Sequence, residues 1–93
     1  MRIQKNSCKI ILNHYNKKTK KIILSNFKNY TKLKKFNCSM NMLSELPDLP
    51  DTLTKLDCSH NNLTELPNLP NSLEYLNCDN NYLTELPTLP NTL

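Results

Sequence analysis

Three consecutive segments decide the fold of this chain: LKKFNCSMNMLSELPDLPDT at 33–52, LTKLDCSHNNLTELPNLPNS at 53–72 and LEYLNCDNNYLTELPTLPNT at 73–92. Each segment repeats the same pattern of 20 residues without an insertion, and Leu93 begins a fourth copy. A short period that is kept in register is typical of a solenoid, in which every repeat forms one coil and buries its apolar side against the next.

The copies share the pattern L-x-x-[LF]-x-C-x-x-N-x-L-x-x-L-P-x-L-P-x-x, which predicts the path of each coil. In the second copy, strand alternation would send Leu56 and Cys58 inward while Lys55 and Asp57 face outward. The two prolines of each copy exclude a regular helix from the return path. We therefore expect in-register parallel strands, and these are centred near 36–37, 56–57 and 76–77.

This pattern resembles the leucine-rich repeat. More narrowly, it resembles the short LPxLP type of bacterial type III effector proteins and of leucine-rich-repeat proteins of giant DNA viruses. The resemblance covers about two thirds of the chain. It implies a leucine-rich repeat solenoid, which is α/β by family but mostly β here: a right-handed coil with short parallel strands on the concave face and an extended, Pro-rich convex face.

Two residue types recur inside each coil and are interpreted as structural ladders. The asparagine that follows each strand can bond backbone groups that the turn leaves free, within its own coil and the next. The cysteine at each strand end behaves as a small buried hydrophobe, which outweighs a disulfide or zinc interpretation because the sulfurs would lie on one packed line. No cofactor or metal is expected. The ladder residues are Asn41, Asn61, Asn81, Cys38, Cys58 and Cys78.

Residues 1–32 do not match the repeat and are interpreted as a basic flank or cap, ahead of a repeat domain at 33–93. Within the flank, segments 9–12 and 21–24 have the composition of short strands, which form either a hairpin or degenerate coils. Apolar residues then recur every third position, as a helical turn or an irregular lead-in to the first strand. The four residues in this series are Phe27, Tyr30, Leu33 and Phe36.

Charge divides near the same boundary. Residues 1–36 hold Arg2 and ten lysines without an acid, giving +11, while residues 37–93 hold Lys55 against eight acids, giving −7, so that the sum is +4. A block this basic can bind nucleic acid, anionic lipid or an acidic protein. The alternative is a lysine-rich, solvated cap, and the absence of an RNA or DNA recognition motif favours it.

No nucleophile motif, phosphate loop or paired catalytic carboxylates accompany the repeats, so we expect no enzyme. The variable positions that flank each strand would instead line the concave face, where aromatic side chains are the strongest candidate anchors. Tyr75 and Tyr82 fit that description, while His60 lacks a partner at fixed spacing and is interpreted as a ligand-contacting or solvated residue. The predicted partner-binding residues are Lys35, Lys55, Tyr75, Asn37, Asp57, Asn77, His60 and Tyr82.

The sequence therefore favours a non-enzymatic module that binds another protein on its concave face. The alternatives are a substrate-recognition fragment of a larger effector such as a ubiquitin ligase, a nucleic-acid or membrane binder acting through residues 1–36, and a truncated reading frame. Self-association through an uncapped C-terminal end is also expected, because the outer side of the third coil would expose apolar edges. The residues expected at that exposed side are Leu73, Leu76, Cys78, Leu83, Leu86 and Leu89. No apolar run has the length of a membrane helix or a signal-peptide core, which predicts a cytoplasmic location, in the cell of origin or in a host.

Overall fold

The computed structural model describes residues 9–12, 24–25 and 27–93. Within these ranges, short strands pair in parallel into one sheet that follows chain order. The strands are β1 (Lys9–Ile11), β2 (Lys35–Asn37), β3 (Lys55–Asp57) and β4 (Tyr75–Asn77), and a 3₁₀ helix, Phe27–Asn29, lies between β1 and β2. Phe36 pairs with Leu56, and Leu56 with Leu76, so each step across β2–β4 advances the chain by one repeat. The predicted solenoid with in-register parallel strands is confirmed.

The core lies directly behind the sheet because strand alternation turns the central residue of each strand inward. Phe36 is 1% exposed and Leu56 is fully buried, whereas Lys35 and Lys55, one residue earlier, are exposed. The first leucine of each repeat, the cysteine and the later leucines complete the interior. The buried apolar residues of the core are Leu12, Phe27, Tyr30, Leu33, Phe36, Cys38, Leu46, Leu49, Leu53, Leu56, Cys58, Leu63, Leu66 and Leu73.

An aromatic cluster closes the N-terminal end of this core. Phe27 packs against Phe36 with ring centroids 4.4 Å apart and against Tyr30 at 5.9 Å. The amide of Tyr30 donates to the carbonyl of Phe27, and the amide of Leu33 donates to the carbonyl of Tyr30, both at 3.0 Å. The apolar residues at every third position therefore lie in successive i→i+3 turns. Of the two alternatives for this segment, the structure adopts the helical turn and not the irregular lead-in.

The two strand segments expected in the flank have different outcomes. Residues 9–12 contribute β1, which pairs in parallel with β2, as a degenerate coil would. Leu24 is helical and not in a strand, so the expected strand at 21–24 is wrong at that residue, and 21–23 lie outside the described residues. The boundary between 32 and 33 stays a prediction, although Leu12 and Phe27 share the core of the repeats.

The return path of each coil is extended, as the prolines require. Residues 38–93, all of which the structure describes, contain no helix. Each return ends in a turn, such as that in which the Leu53 amide donates to the Pro50 carbonyl at 3.2 Å. The last residue of each coil then donates its hydroxyl to the carbonyl of the first leucine of the same coil, as Thr52 does to Leu33 at 2.6 Å. Ser72 repeats this bond to Leu53 at 2.7 Å and also donates to the Asp51 carbonyl of the preceding coil at 2.8 Å, which links the two coils.

The asparagine side chains link adjacent coils at the opposite end of each strand. The Nδ2 group of Asn61 donates to the carbonyls of Cys38, Cys58 and Ser59 at 3.0–3.1 Å. Its Oδ1 atom accepts from the amides of Asn41 at 3.1 Å and Leu43 at 2.9 Å. Asn61 is 5% exposed, so its amide replaces water for backbone groups of two coils at once. No buried side-chain nitrogen or oxygen among the described residues lacks a hydrogen-bond partner.

The turn between strand and asparagine needs a left-handed backbone, and the chain contains no glycine to supply it. Met40, His60 and Asn80 occupy equivalent positions with φ of 58°, 55° and 57°. Met42 adds a further left-handed residue at 56° in the first coil. Asparagine tolerates this region, whereas an ordinary side chain costs about 1–2 kcal/mol there. The first coil therefore carries backbone strain that the third coil largely avoids.

Burial falls towards the C-terminal end of the solenoid. Leu66 is 8% exposed in the second coil, whereas Leu86 and Leu89 in the third are 51% and 48% exposed. An exposed edge was also expected for Leu73, and this is wrong because Leu73 is fully buried. Leu73 packs in the shared apolar core of the preceding coils, and its carbonyl accepts a hydrogen bond from the Thr92 hydroxyl of the closing turn.

We expect Asn61→Ala to lower the free energy of unfolding by about 1–3 kcal/mol, because it leaves buried backbone donors and acceptors without partners. The matched control is Asn62→Ala, which removes an exposed amide from the neighbouring position. Urea denaturation followed by circular dichroism measures both. Equal midpoints for the two variants would contradict the structural role of Asn61.

Replacing Met40 with asparagine should raise the free energy of unfolding by up to about 1 kcal/mol, since asparagine reaches the left-handed region with less strain. The reciprocal change, Asn80→Met, should lower it by a similar amount at the equivalent position. Denaturation midpoints at unchanged slope give both values. A destabilised Met40→Asn variant would mean that the methionine side chain makes a contact stronger than the strain it costs.

Candidate functional site

The strand face carries a column of exposed side chains, none of which is buried in the core. Lys9 pairs with Lys35, Lys35 with Lys55, and Lys55 with Tyr75 as neighbours across the sheet. All three lysines are exposed, and the side chain of Tyr75 is 46% exposed. We call these four residues the lysine–tyrosine column. Because strand pairing fixes the backbone beneath them, their order follows directly from the register of the sheet.

A groove of about 190 Å³ lies along this column. Its lining includes the column itself together with Ile11 and Asp57. At one end, the Lys55 ammonium lies 4.8 Å from the centroid of the Tyr75 ring, within the range of a cation–π interaction. The groove therefore has a cationic part and an aromatic end.

The next outward position of each strand forms a second column that is partly engaged in the turns. Asn37 Oδ1 accepts from the Ser39 amide and hydroxyl at 3.0 and 2.8 Å. Asp57 Oδ1 does the same for Ser59 at 3.1 and 2.7 Å. Asn77 Oδ1 accepts from the Asp79 amide at 3.1 Å. These side chains are half-buried and shape the strand ends, which leaves them less adaptable to a ligand than the first column.

His60 and Tyr82 belong to a separate surface beyond the strand ends. His60 is exposed in the left-handed turn, and its Nε2 atom lies 3.4 Å from the Nδ2 atom of Asn80 in the next coil. The Tyr82 side chain is 68% exposed, and Met40 and Met42 nearby in the repeat pattern are 69% and 84% exposed. The predicted binding residues therefore divide between the strand face and this turn surface, rather than lining one continuous row.

Sequence reasoning missed two residues of the strand face. Lys9 and Ile11 line the groove, although they precede the repeats by more than one copy. The signal was present in the match between K-I-I-L at 9–12 and K-F-N-C at 35–38, which share a lysine followed by an inward apolar residue. The offset between them is 26 residues rather than 20, so a search at the fixed period passes over it.

The three repeat cysteines are free and lie on the inner side of the sheet, away from the groove. Burial raises the pKa of the Cys38 thiol, as it does for Cys78, and for Cys58 burial together with the neighbouring Cys78 raises the pKa to about 12. These thiols stay protonated near neutral pH, which disfavours both nucleophilic attack and metal binding. Within the described ranges, no cluster of three or more histidine, cysteine or acidic residues is placed to hold a metal ion.

None of the helical residues that the structure describes forms a segment with the length and apolarity needed to cross a bilayer. The acidic residues lie mainly away from the groove. Glu45, Glu65 and Glu85 are exposed on the return path, one in each coil. Asp48 and Asp51 line a different depression, together with Lys28. The strand face is therefore the cationic side of a repeat segment that is acidic elsewhere.

Comparison with protein families identifies the repeats. Residues 51–91 match the family model described as Leucine Rich repeats (2 copies). Comparison with curated proteins gives no match. The match spans most of the second and third copies, and the narrower likeness to LPxLP repeats of bacterial and viral proteins stays a prediction. Residues 51–91 are thus similar to leucine-rich repeats, and together with the parallel strands that advance by one repeat per step this match shows that the chain folds as a leucine-rich-repeat solenoid.

Proposed function

We propose that this chain is a non-enzymatic interaction module that binds a partner protein through its strand face, the concave face of a leucine-rich-repeat solenoid. Leucine-rich repeats generally mediate protein–protein interaction, and the observation that carries the proposal is the lysine–tyrosine column. Its side chains are ordered by the sheet and exposed, and none is needed by the core. Tyrosine is among the residues that dominate interface energetics, because it adds contact area with few rotatable bonds.

The size of the groove favours a macromolecular partner over a small ligand. Its volume of about 190 Å³ lies below the roughly 300–1,000 Å³ typical of small-molecule pockets. A protein partner instead covers a broad, shallow surface, for which a groove of this kind holds one or two side chains. The raised thiol pKa values and the isolated position of His60 give no support to a catalytic role.

The proposal includes a cytoplasmic setting, with which the buried free thiols are consistent, since cysteines stay reduced there. Two narrower functions stay predictions. A role as the recognition fragment of a larger effector needs a catalytic domain, and binding of nucleic acid or an anionic surface through residues 1–36 involves a segment of which only 9–12, 24–25 and 27–36 are described.

The proposal predicts that a partner contacts Tyr75. Placing a photo-crosslinking amino acid at Tyr75 in the full chain should capture a specific protein, whereas the same amino acid at the convex residue Glu65 should not. With that protein purified, Tyr75→Ala should weaken binding about tenfold, or roughly 1.4 kcal/mol, by calorimetric titration. Glu65→Ala is the matched control and should bind as the unaltered chain does. Capture at Glu65 with an unchanged affinity of Tyr75→Ala would refute binding through the strand face.

We further propose that the 93-residue chain self-associates through the outer side of the third coil. Strand β4 pairs only with β3 in the described sheet, and Leu86 and Leu89 are about half exposed beside it. An open strand edge next to apolar side chains is a template for pairing with a second chain.

Light scattering over a concentration series should therefore show a rising apparent mass. The double variant Leu86→Gln and Leu89→Gln should reduce that rise because it lowers the apolar area of the outer side. Tyr82→Gln serves as the control, since it changes an exposed apolar residue on the turn surface instead. A monomer at every concentration would contradict this proposal without affecting the one for the strand face.

A further inference from the structure

The strand face places like charges directly opposite one another. Lys9, Lys35 and Lys55 are successive partners across β1, β2 and β3, so their backbones are separated by about 4.8 Å per strand. Like charges at directly paired positions destabilise a sheet. Uncharged polar side chains would satisfy the fold at these exposed positions equally well, so the fold itself gives no reason for a row of lysines.

The described neighbours of Lys35 and Lys55 do little to neutralise these two lysines. The Lys55 ammonium contacts the Tyr75 ring, and no described carboxylate forms an ion pair with Lys35 or Lys55. Asp57 lines the same groove, but its Oδ1 atom already accepts two hydrogen bonds from Ser59. Lys35 and Lys55 therefore offer cationic donors to a ligand in a groove that has an aromatic ring at one end and the half-exposed Ile11 at the other.

We propose that the strand face recognises an acidic segment of a partner protein, with carboxylates held by Lys35 and Lys55 and an apolar side chain packed on Tyr75. This inference rests on the proposed binding of a protein at the same face and adds the chemistry of the partner. In an extended peptide, alternate side chains share one side and lie about 6.7 Å apart. The flexible lysine stems bridge that distance from strands about 4.8 Å apart. A Glu-x-Glu segment followed by an apolar residue matches the order of the groove.

The arrangement of charge favours a short acidic segment over a nucleic acid. A phosphate backbone carries charge continuously along its length, and on this chain it would meet Asp57 in the groove and the exposed Glu74 and Asp79 around β4. In a peptide with two carboxylates, by contrast, the negative charge is confined to the positions that face the lysine row, and the next outward side chain is apolar. Tyr75 then serves as a packing surface and not as one member of a base-stacking series.

The test is a selection of random linear peptides on the immobilised full chain, with two variants in parallel. The first variant is Lys35→Gln with Lys55→Gln. The second is Lys28→Gln with Lys32→Gln, which removes the same charge from exposed positions outside the groove. Peptides selected on the unaltered chain and on the second variant should be enriched in alternate acidic residues, and this enrichment should vanish on the first variant.

Affinity of one selected peptide, followed by fluorescence anisotropy, supplies the quantitative result. The first variant should bind about five- to tenfold more weakly, as expected for two solvent-exposed charge contacts, and replacing the peptide's acids with amides should cause a similar loss. The melting temperature of the first variant should equal or exceed that of the unaltered chain, because the removed charges repel one another. A merely structural role for these lysines would instead lower it.

Three outcomes overturn the inference, and they distinguish its failure from failure of the proposed function. Selected peptides that lose affinity on Tyr75→Ala but carry no acidic preference leave the protein-binding face intact and refute its acidic specificity. Peptides insensitive to both Tyr75→Ala and the lysine changes refute the binding face itself. Preferential binding of a single-stranded DNA probe over the acidic peptide, lost in the first variant, assigns the lysine row to nucleic acid.

Discussion

The structure depends on how the asparagine of each coil joins that coil to its neighbours. A leucine-rich coil cannot bury its own apolar side, so its stability comes from stacking. Stacking requires backbone groups at the strand ends to find partners where the chain turns and a regular ladder stops. The Asn61 amide meets both demands, because one planar group reaches backbone atoms of the first and second coils together. Its geometry fixes the distance between coils, and the position of every side chain on the strand face follows from that distance.

Side-chain hydrogen bonds also hold the other end of each strand. Thr52 and Ser72 tie the end of each return path to the first leucine of the same coil, and Ser72 also bonds the carbonyl of Asp51 in the preceding coil. The strand is therefore held at both ends by side chains that the repeat supplies at fixed positions. Three residues per strand form few backbone hydrogen bonds, so this sheet relies on such side-chain links more than a longer sheet would.

Much of this fold could be predicted from the sequence because the twenty-residue period equals the offset between paired residues of neighbouring strands. Strand positions, the inward Phe36 and Leu56, and the bonding role of Asn61 all follow from a pattern that repeats without insertion. The features that escaped prediction break the period or depend on a single copy. Strand β1 is offset by 26 residues from β2, and Leu73 is fully buried although it opens the last complete copy. The left-handed backbone of Met40 has no glycine to signal it in the sequence. For the candidate site, the order Lys35, Lys55, Tyr75 was predictable, whereas the split of His60 and Tyr82 onto another surface required the turn geometry.

The uniform step between β2, β3 and β4 has an evolutionary consequence. Duplication or loss of one twenty-residue unit would leave every remaining hydrogen bond in place and would lengthen or shorten the strand face by one residue of each column. Recombination between copies can thus exchange a lysine for a tyrosine at one position of the face without disturbing the interior. The step from β1 to β2 has a different length, so the N-terminal coil lies outside this exchange and stays a fixed starting point from which the rest of the array can vary.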